Sequence, residues 1–229
     1  MQLPRRTPFH GPTFIRLLAG LAETDVQPPR PLPAERLSEW LDINNAIALS
    51  AALDGRPLAG VAPPGDAGED ECACVRAALA EAIAADRAFD GNGAGVATDY
   101  AFFRQRYLAL QQTMETGIGQ ARARLRERLA AQGPGPARLA TVDAAMEKAL
   151  TRRERTLLSR APALLGQHFE RLRQGAGLPD QTPPPEDAAA AAPVDWLDGF
   201  RKTMQDVLLA ELDVRLQPVE GLQAALRTS

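Results

Sequence analysis

The sequence predicts an all-α protein, an elongated helical bundle built on a long, coiled-coil-like antiparallel hairpin. Three observations carry that prediction. Aromatic residues make up only 5% of the chain, while alanine, leucine, arginine and glutamate are abundant, a composition that favours helix. Runs of β-branched residues are almost absent, so no segment has the character of a strand. The stretch Asp99 to Gln132 contains no proline and places apolar or small residues at Phe103, Tyr107, Leu110, Met114, Ile118, Ala121, Leu125 and Leu129, steps of three and four that lie on one helical face. At ~1.5 Å per residue this helix is roughly 50 Å long, and its apolar line requires a partner helix from this chain or another copy.

Before that helix, Pro12-Thr13 opens a short helix with Phe14, Leu17, Leu18 and Leu21 on one side. Arg5 and Arg6 precede it, a faint likeness to a secretory signal that Arg16 breaks. Pro28 to Pro33 is extended, because each proline fixes its own φ and restrains its predecessor. A second helix starts at Pro33, is marked by Leu37, Trp40, Leu41, Ile47 and Ala51, and stops at Leu53-Asp54-Gly55. Asn44 and Asn45 fall in its middle and are read first as surface residues, with an interhelical hydrogen bond or a kink as the alternatives. Arg56 to Gly68 is a loop, and Glu69, Asp70 and Glu71 suit the positive end of a helix running through Val75, Leu79 and Ile83 toward Phe89.

After the long helix, Gly133-Pro134-Gly135-Pro136 is a turn, and Leu139, Val142, Met146, Leu150, Arg153 and Leu157 resume the helical spacing. Pro162 predicts a kink near Ser159 before Leu165, Phe169 and Leu172 complete the arm. Gln181 to Pro193 is a Pro/Ala-rich linker. A final amphipathic helix, Asp195 to Gln217, turns Leu197, Phe200, Met204, Leu208 and Leu212 one way, a possible contact for a partner helix, with Pro218 bending or ending it. The linear organisation is an N-terminal helical region at 1–96, a hairpin at 97–176, a linker at 177–193 and a C-terminal helix at 194–229.

The net charge of −3 argues against a chain that coats nucleic acid over its whole surface. The charge is nonetheless polarised: Gly119 to Arg160 holds ten Lys/Arg against four Asp/Glu, and Asp66 to Asp90 holds seven acidic residues against two arginines. No apolar run is long enough to span a bilayer, so no membrane insertion is expected. The two cysteines, Cys72 and Cys74, form no disulfide framework and fit a reducing, cytoplasmic setting.

Chemistry-bearing patterns are weak. Cys72-Ala-Cys74 lacks the further ligands zinc needs, since His10 and His168 lie far away. Gly91-Asn92-Gly93-Ala94-Gly95 is a helix connector, with no Gly-Lys-Ser/Thr after it. No catalytic residue, cofactor or metal is assigned, and the protein is expected not to be an enzyme. The strongest cluster is Arg122, Arg124, Arg126 and Arg128 with Arg152, Arg153 and Arg155, which the hairpin brings onto neighbouring arms. With Glu127, Glu147 and Glu154 it is either a solvated face of i,i+4 ion pairs or a contact for an acidic partner or nucleic acid.

Phe14-Ile15-Arg16-Leu17-Leu18-Ala19, Ala34-Glu35-Arg36-Leu37-Ser38-Glu39-Trp40-Leu41-Asp42, Ala48-Leu49-Ser50-Ala51-Ala52-Leu53 and Asp99-Tyr100-Ala101-Phe102-Phe103-Arg104 together resemble an uncharacterised proteobacterial helical family, a domain of unknown function. Its members are associated with a membrane motor related to flagellar stators and an OmpA-like peptidoglycan-binding partner, an arrangement similar to type III Zorya anti-phage defence systems. The resemblance implies a soluble, non-enzymatic accessory component, an adaptor or effector whose partners are proteins, a stator-like motor complex among them, with self-association as a further expectation. It supplies no catalytic residues, and the linker at Pro183 to Pro193 departs from it. The alternative function is sequence-nonspecific nucleic-acid binding through the arginine hairpin.

Overall fold

The computed structural model describes residues 12–22, 41, 43–55, 70–89, 99–176 and 194–228. Among these residues all regular structure is helical: α1 (Thr13–Ala22), α2 (Ile43–Asp54), α3 (Glu71–Ala84), α4 (Tyr100–Ala131), α5 (Pro134–Leu158), α6 (Arg160–Gly175) and α7 (Val194–Thr228). The all-α class is therefore what the chain adopts. The proline strip at 28–33, the expected helical residues Leu37 and Trp40, the loop at 56–68, the glycine cluster at 91–95 and the linker at 181–193 lie outside the described residues.

The chain divides into two compact units. The first comprises Met1–Val26, Ala80–Gln112 and Arg160–Glu211, and the second comprises Gln27–Leu79, Thr113–Ser159 and Leu212–Ser229. Helices α3, α4 and α7 contribute to both.

In the first unit the leading part of α4 packs against α6 and the first half of α7. Phe103 and Phe169 meet at 5.8 Å, and each also meets Phe200, at 5.0 and 4.9 Å between ring centroids. These distances suit tilted and edge-to-face aromatic contact. Trp196 adds an edge contact to Phe169 at 5.2 Å. Gly166 lets α6 approach Tyr100, because a Cβ there would lie 2.7 Å from the tyrosine ring. Helix α1, the stretch with the faint signal-like pattern, packs on α6, with Phe14 and Leu21 buried. Arg171 of α6 donates to the Leu21 carbonyl, one of the acceptors left open at a helix C-terminus.

Two charged features stabilise this unit and escape the hydrophobic pattern. Asp86 is buried, caps the turn after α3 by accepting from the Ala88 amide at 2.9 Å, and pairs with Arg106. Glu211 has no exposed surface and accepts from the Tyr107 hydroxyl at 2.6 Å and the Gln111 amide at 2.9 Å. A buried carboxylate is tolerated only where donors meet it, so this network fixes α7 at one register along α4.

In the second unit the rest of α4 turns at Gly133 into α5. Gly133 has φ of 135°, a backbone conformation that favours glycine. The two prolines expected in the turn instead begin α5, where the first-turn amides have no helical acceptor to lose. The arms run antiparallel, as the pairing of Glu115 with Arg155 and of Arg122 with Asp143 requires. The helix breaks at Ser159 and restarts at Arg160, as Pro162 predicts.

Helix α7 does not end at Gln217, although an end was one of the two outcomes, a bend or an end, expected at Pro218. It continues to Thr228 with Pro218 inside it, and Leu216, Val219 and Leu222 are buried around the proline. Packing thereby offsets the lost backbone donor. Helix α2 brings a correction. Ile47 and Ala51 were expected on its buried side, but Ile47 is 63% exposed and Ala51 is exposed. The side packed on α5 carries Ala52, which is buried, with Asn45 and Leu49 half-buried.

Tyr100 donates its hydroxyl to the Pro162 carbonyl, and burial pushes its pKa up to about 12 from an ordinary value of 10.0. The folded-state value is the higher, so the stability this group contributes is whole below pH 10 and is lost as pH rises toward 12. Tyr100→Phe should lower stability at neutral pH by about 1 kcal/mol and flatten the alkaline decline, measured by urea unfolding at pH 7 to 11. An equally steep decline in the variant would contradict this assignment.

Candidate interaction surface on the helical hairpin

The arginine cluster becomes an ordered set of ion pairs in the second unit. Residues four apart share a helix face, so Arg122 and Arg126 on α4 face Asp143 and Glu147 on α5. Arg122 reaches Asp143 at 2.7 Å and Glu147 at 3.5 Å, and Arg126 reaches them at 3.1 and 2.6 Å. These side chains are 11–28% exposed, so the four charges form a partly dehydrated lattice along the seam. Arg124 turns the other way and donates through Nε to Glu71 at 2.9 Å, at the start of α3. Arg155 donates through Nε to Glu115 at 2.9 Å, and Glu154 takes Arg215 of α7 at 3.0 Å.

The expected pairs within single helices are thus replaced by pairs between helices. Glu127 is exposed and makes no ion pair with another described residue. Arg128 and Arg152 likewise make none among the described residues, and Arg152 and Arg153 are exposed. The hairpin therefore brings all seven arginines into one unit, and Arg122, Arg124, Arg126 and Arg155 are held by carboxylates of other described residues.

The apolar residues singled out on the last helix are placed inside the protein. Phe200, Met204, Leu208 and Leu212 are at most 2% exposed, and Leu197 is half-buried. They pack in cis.

A shallow cleft of about 270 Å³ lies in the second unit, between the start of α3 and the end of α7. Asp70 caps α3 by accepting from the Ala73 amide at 3.1 Å and pairs with Arg227 at 2.7 Å. The amide hydrogen bond, followed by Arg227, holds the Asp70 carboxyl below its ordinary range. Arg76 is shared between Asp213 and Glu220. Both arginines of the cleft are thus held by carboxylates of the chain.

Cys72 is buried there, and burial, then the Glu220 charge, pushes its thiol above the ordinary range. A thiol so placed is a poor nucleophile. Cys74 is exposed. Among the described residues no group of three or more His, Cys, Asp or Glu is placed to hold a metal ion. No described helix is long and apolar enough to cross a membrane.

A family model described as a protein of unknown function (DUF3348) matches residues 1–228. The chain belongs to the DUF3348 family. No curated protein and no solved structure matches it. Features of this family member that the apolar spacing does not reveal include the interhelical charge lattice, the buried Asp86 with Arg106, and the buried Glu211. Glu211 had a signal: an acidic residue three places after Leu208 and next to Leu212 falls on the apolar face of α7. The Asp143/Glu147 repeat on α5, matched to Arg122/Arg126 on α4, is a comparable signal.

Arg126→Gln should lower stability by about 1–2 kcal/mol, between the values for exposed and fully buried pairs. A double-mutant cycle with Glu147→Gln, followed by urea unfolding, should show the two changes to be non-additive. Simple additivity would mean the lattice is only a solvated face.

Proposed function

We propose that this chain is a non-enzymatic accessory component of a bacterial anti-phage defence assembly, an adaptor or effector that works beside a stator-like membrane motor. The observation that supports this reading is the commitment of the hairpin's charges to its own architecture. Arg122, Arg124, Arg126 and Arg155 meet carboxylates on neighbouring helices. These four cations attract a phosphate backbone weakly, since binding a phosphate through them would first require breaking an ion pair. The resemblance of the Phe14, Ala34, Ala48 and Asp99 segments to accessory components of type III Zorya systems supports the cellular setting.

For a protein partner, α5 offers a narrow cationic strip. Arg138, Lys148 and Arg152 are all exposed and lie within about 80° of one another around the helix at ~100° per residue. Exposed Leu139 and Leu157 lie farther round the same helix. The cationic strip by itself suits reversible association with an acidic helical surface.

Capture of the full-length tagged protein from its native cells, with and without nuclease, tests the proposal. It predicts recovery of motor-complex proteins in both samples, and their loss when Arg138, Lys148 and Arg152 are changed to glutamate. Recovery of nuclease-sensitive DNA or RNA without a stable protein partner would instead support the nucleic-acid alternative.

A further inference from the structure

The cleft between the start of α3 and the end of α7 holds an acceptor that the chain leaves unmet. Gln223 lines this cleft of about 270 Å³ and is 7% exposed, yet its Oε1 has no hydrogen-bond partner. An enclosed amide oxygen without a donor costs stability, and folded proteins rarely keep one without a use for it. Glu220 precedes Gln223 by three residues and Arg227 follows it by four, so the three share one side of α7. Arg76 occupies Oε1 of Glu220, and the other carboxylate oxygen accepts from no described residue.

The charges around Gln223 decide the sign of what the cleft can take. Asp70 is satisfied by the Ala73 amide and Arg227, and Arg76 is divided between Asp213 and Glu220. These three carboxylates meet two guanidiniums, a formal excess of one negative charge. An anion would have to displace a carboxylate from an arginine, and it would bring no donor to Gln223. A cation that carries N–H donors requires no pair to be broken. The Glu220 charge already acts in this sense on the buried Cys72, where it disfavours a second negative charge. Cys72 and Ala73 add an uncharged wall to the cleft, against which a methylene stem can lie.

We propose that this cleft binds a primary ammonium on a short aliphatic stem, held by Gln223 Oε1 and the open oxygen of Glu220. An ammonium has three donors and no acceptor, which suits a site whose open groups are both acceptors. Oε1 is enclosed where it stands, and rotation of the terminal amide, a soft torsion, turns it toward the ligand. The same group is offered by a small free amine and by a lysine side chain of another protein. The site is separate from the cationic strip on α5 and does not depend on the function proposed above.

Magnetic resonance titration of the isotope-labelled full-length protein with n-butylammonium at pH 7 tests the proposal. The Gln223 side-chain amide and the Cys72 and Ala73 backbone amides should shift saturably. Tetramethylammonium, which has the charge but no N–H donor, should produce no saturable shift. Gln223→Leu should melt at or above the wild-type temperature, because it removes an unmet polar group, and should lose the saturable shift at Cys72 and Ala73. Glu220→Gln, at a position whose side chain is 49% exposed, should stay folded and bind about tenfold more weakly, the loss of one charge-assisted hydrogen bond. The absence of a saturable shift in the wild type overturns the proposal, as does an equal response to tetramethylammonium. Unchanged binding by either variant also overturns it. Nα-acetyl-lysine methylamide separates the two sources: binding at least as tight as that of n-butylammonium assigns the group to a protein lysine, and weaker binding assigns it to a free amine.

Discussion

The apolar line along α4 is the constraint on which the rest of the described structure depends. Eight positions from Phe103 to Leu129 are at most 7% exposed, in a helix whose remaining faces are rich in arginine and glutamine. Such a helix cannot satisfy that line alone, and fully burying one large apolar side chain is worth ~1.5–3 kcal/mol. Each compact unit covers its share differently. In the first, aromatic residues of α6 and α7 close over Phe103. In the second, Ala137, Ala140 and Ala149 of α5 are buried together with Leu158, while Leu139 and Leu157 are exposed. Alanine at these contacts lets two helices approach closely.

Burial alone would leave the helices free to slide along one another. Glu211 with Tyr107 and Gln111 in the first unit, and the Arg122/Arg126 lattice with Asp143/Glu147 in the second, oppose such sliding. A shift by one turn would strand a desolvated charge, which costs more than an intact pair contributes. Polar groups at these contacts therefore specify register more than they add net stability. This also bears on function, since cations fixed in a lattice are unavailable to outside partners. Among the described residues, Arg138, Lys148 and Arg152 on α5 keep their charges exposed.

Much of the fold was legible because helical periodicity is a strong signal wherever a helix has one buried side. All eight α4 positions named from spacing are buried, and Asp99 caps the helix, accepting from the Ala101 amide at 2.9 Å. Legibility failed where that premise failed. Ile47 follows the spacing but faces out, because α2 is apolar nearly all round and periodicity cannot say which side packs. Pro218 was expected to bend or end α7, and the helix does not end there, because tertiary packing of Val219 and Leu222 outweighs local propensity. The arginines were visible as a cluster, but the spacing did not reveal how their charges divide between α5, α3 and solvent. That division depends on which helices become neighbours.

Hydrogen exchange read by mass spectrometry on the full-length protein tests the central role of α4 most directly. If its apolar line forms the core of each unit, peptides covering residues 103–129 will exchange more slowly than those covering α1 and α2, and at least as slowly as those from α7. Exchange of the 103–129 peptides as fast as those of α1 and α2 would contradict the account, because it would mean that α4 opens without unfolding the units it is held to organise.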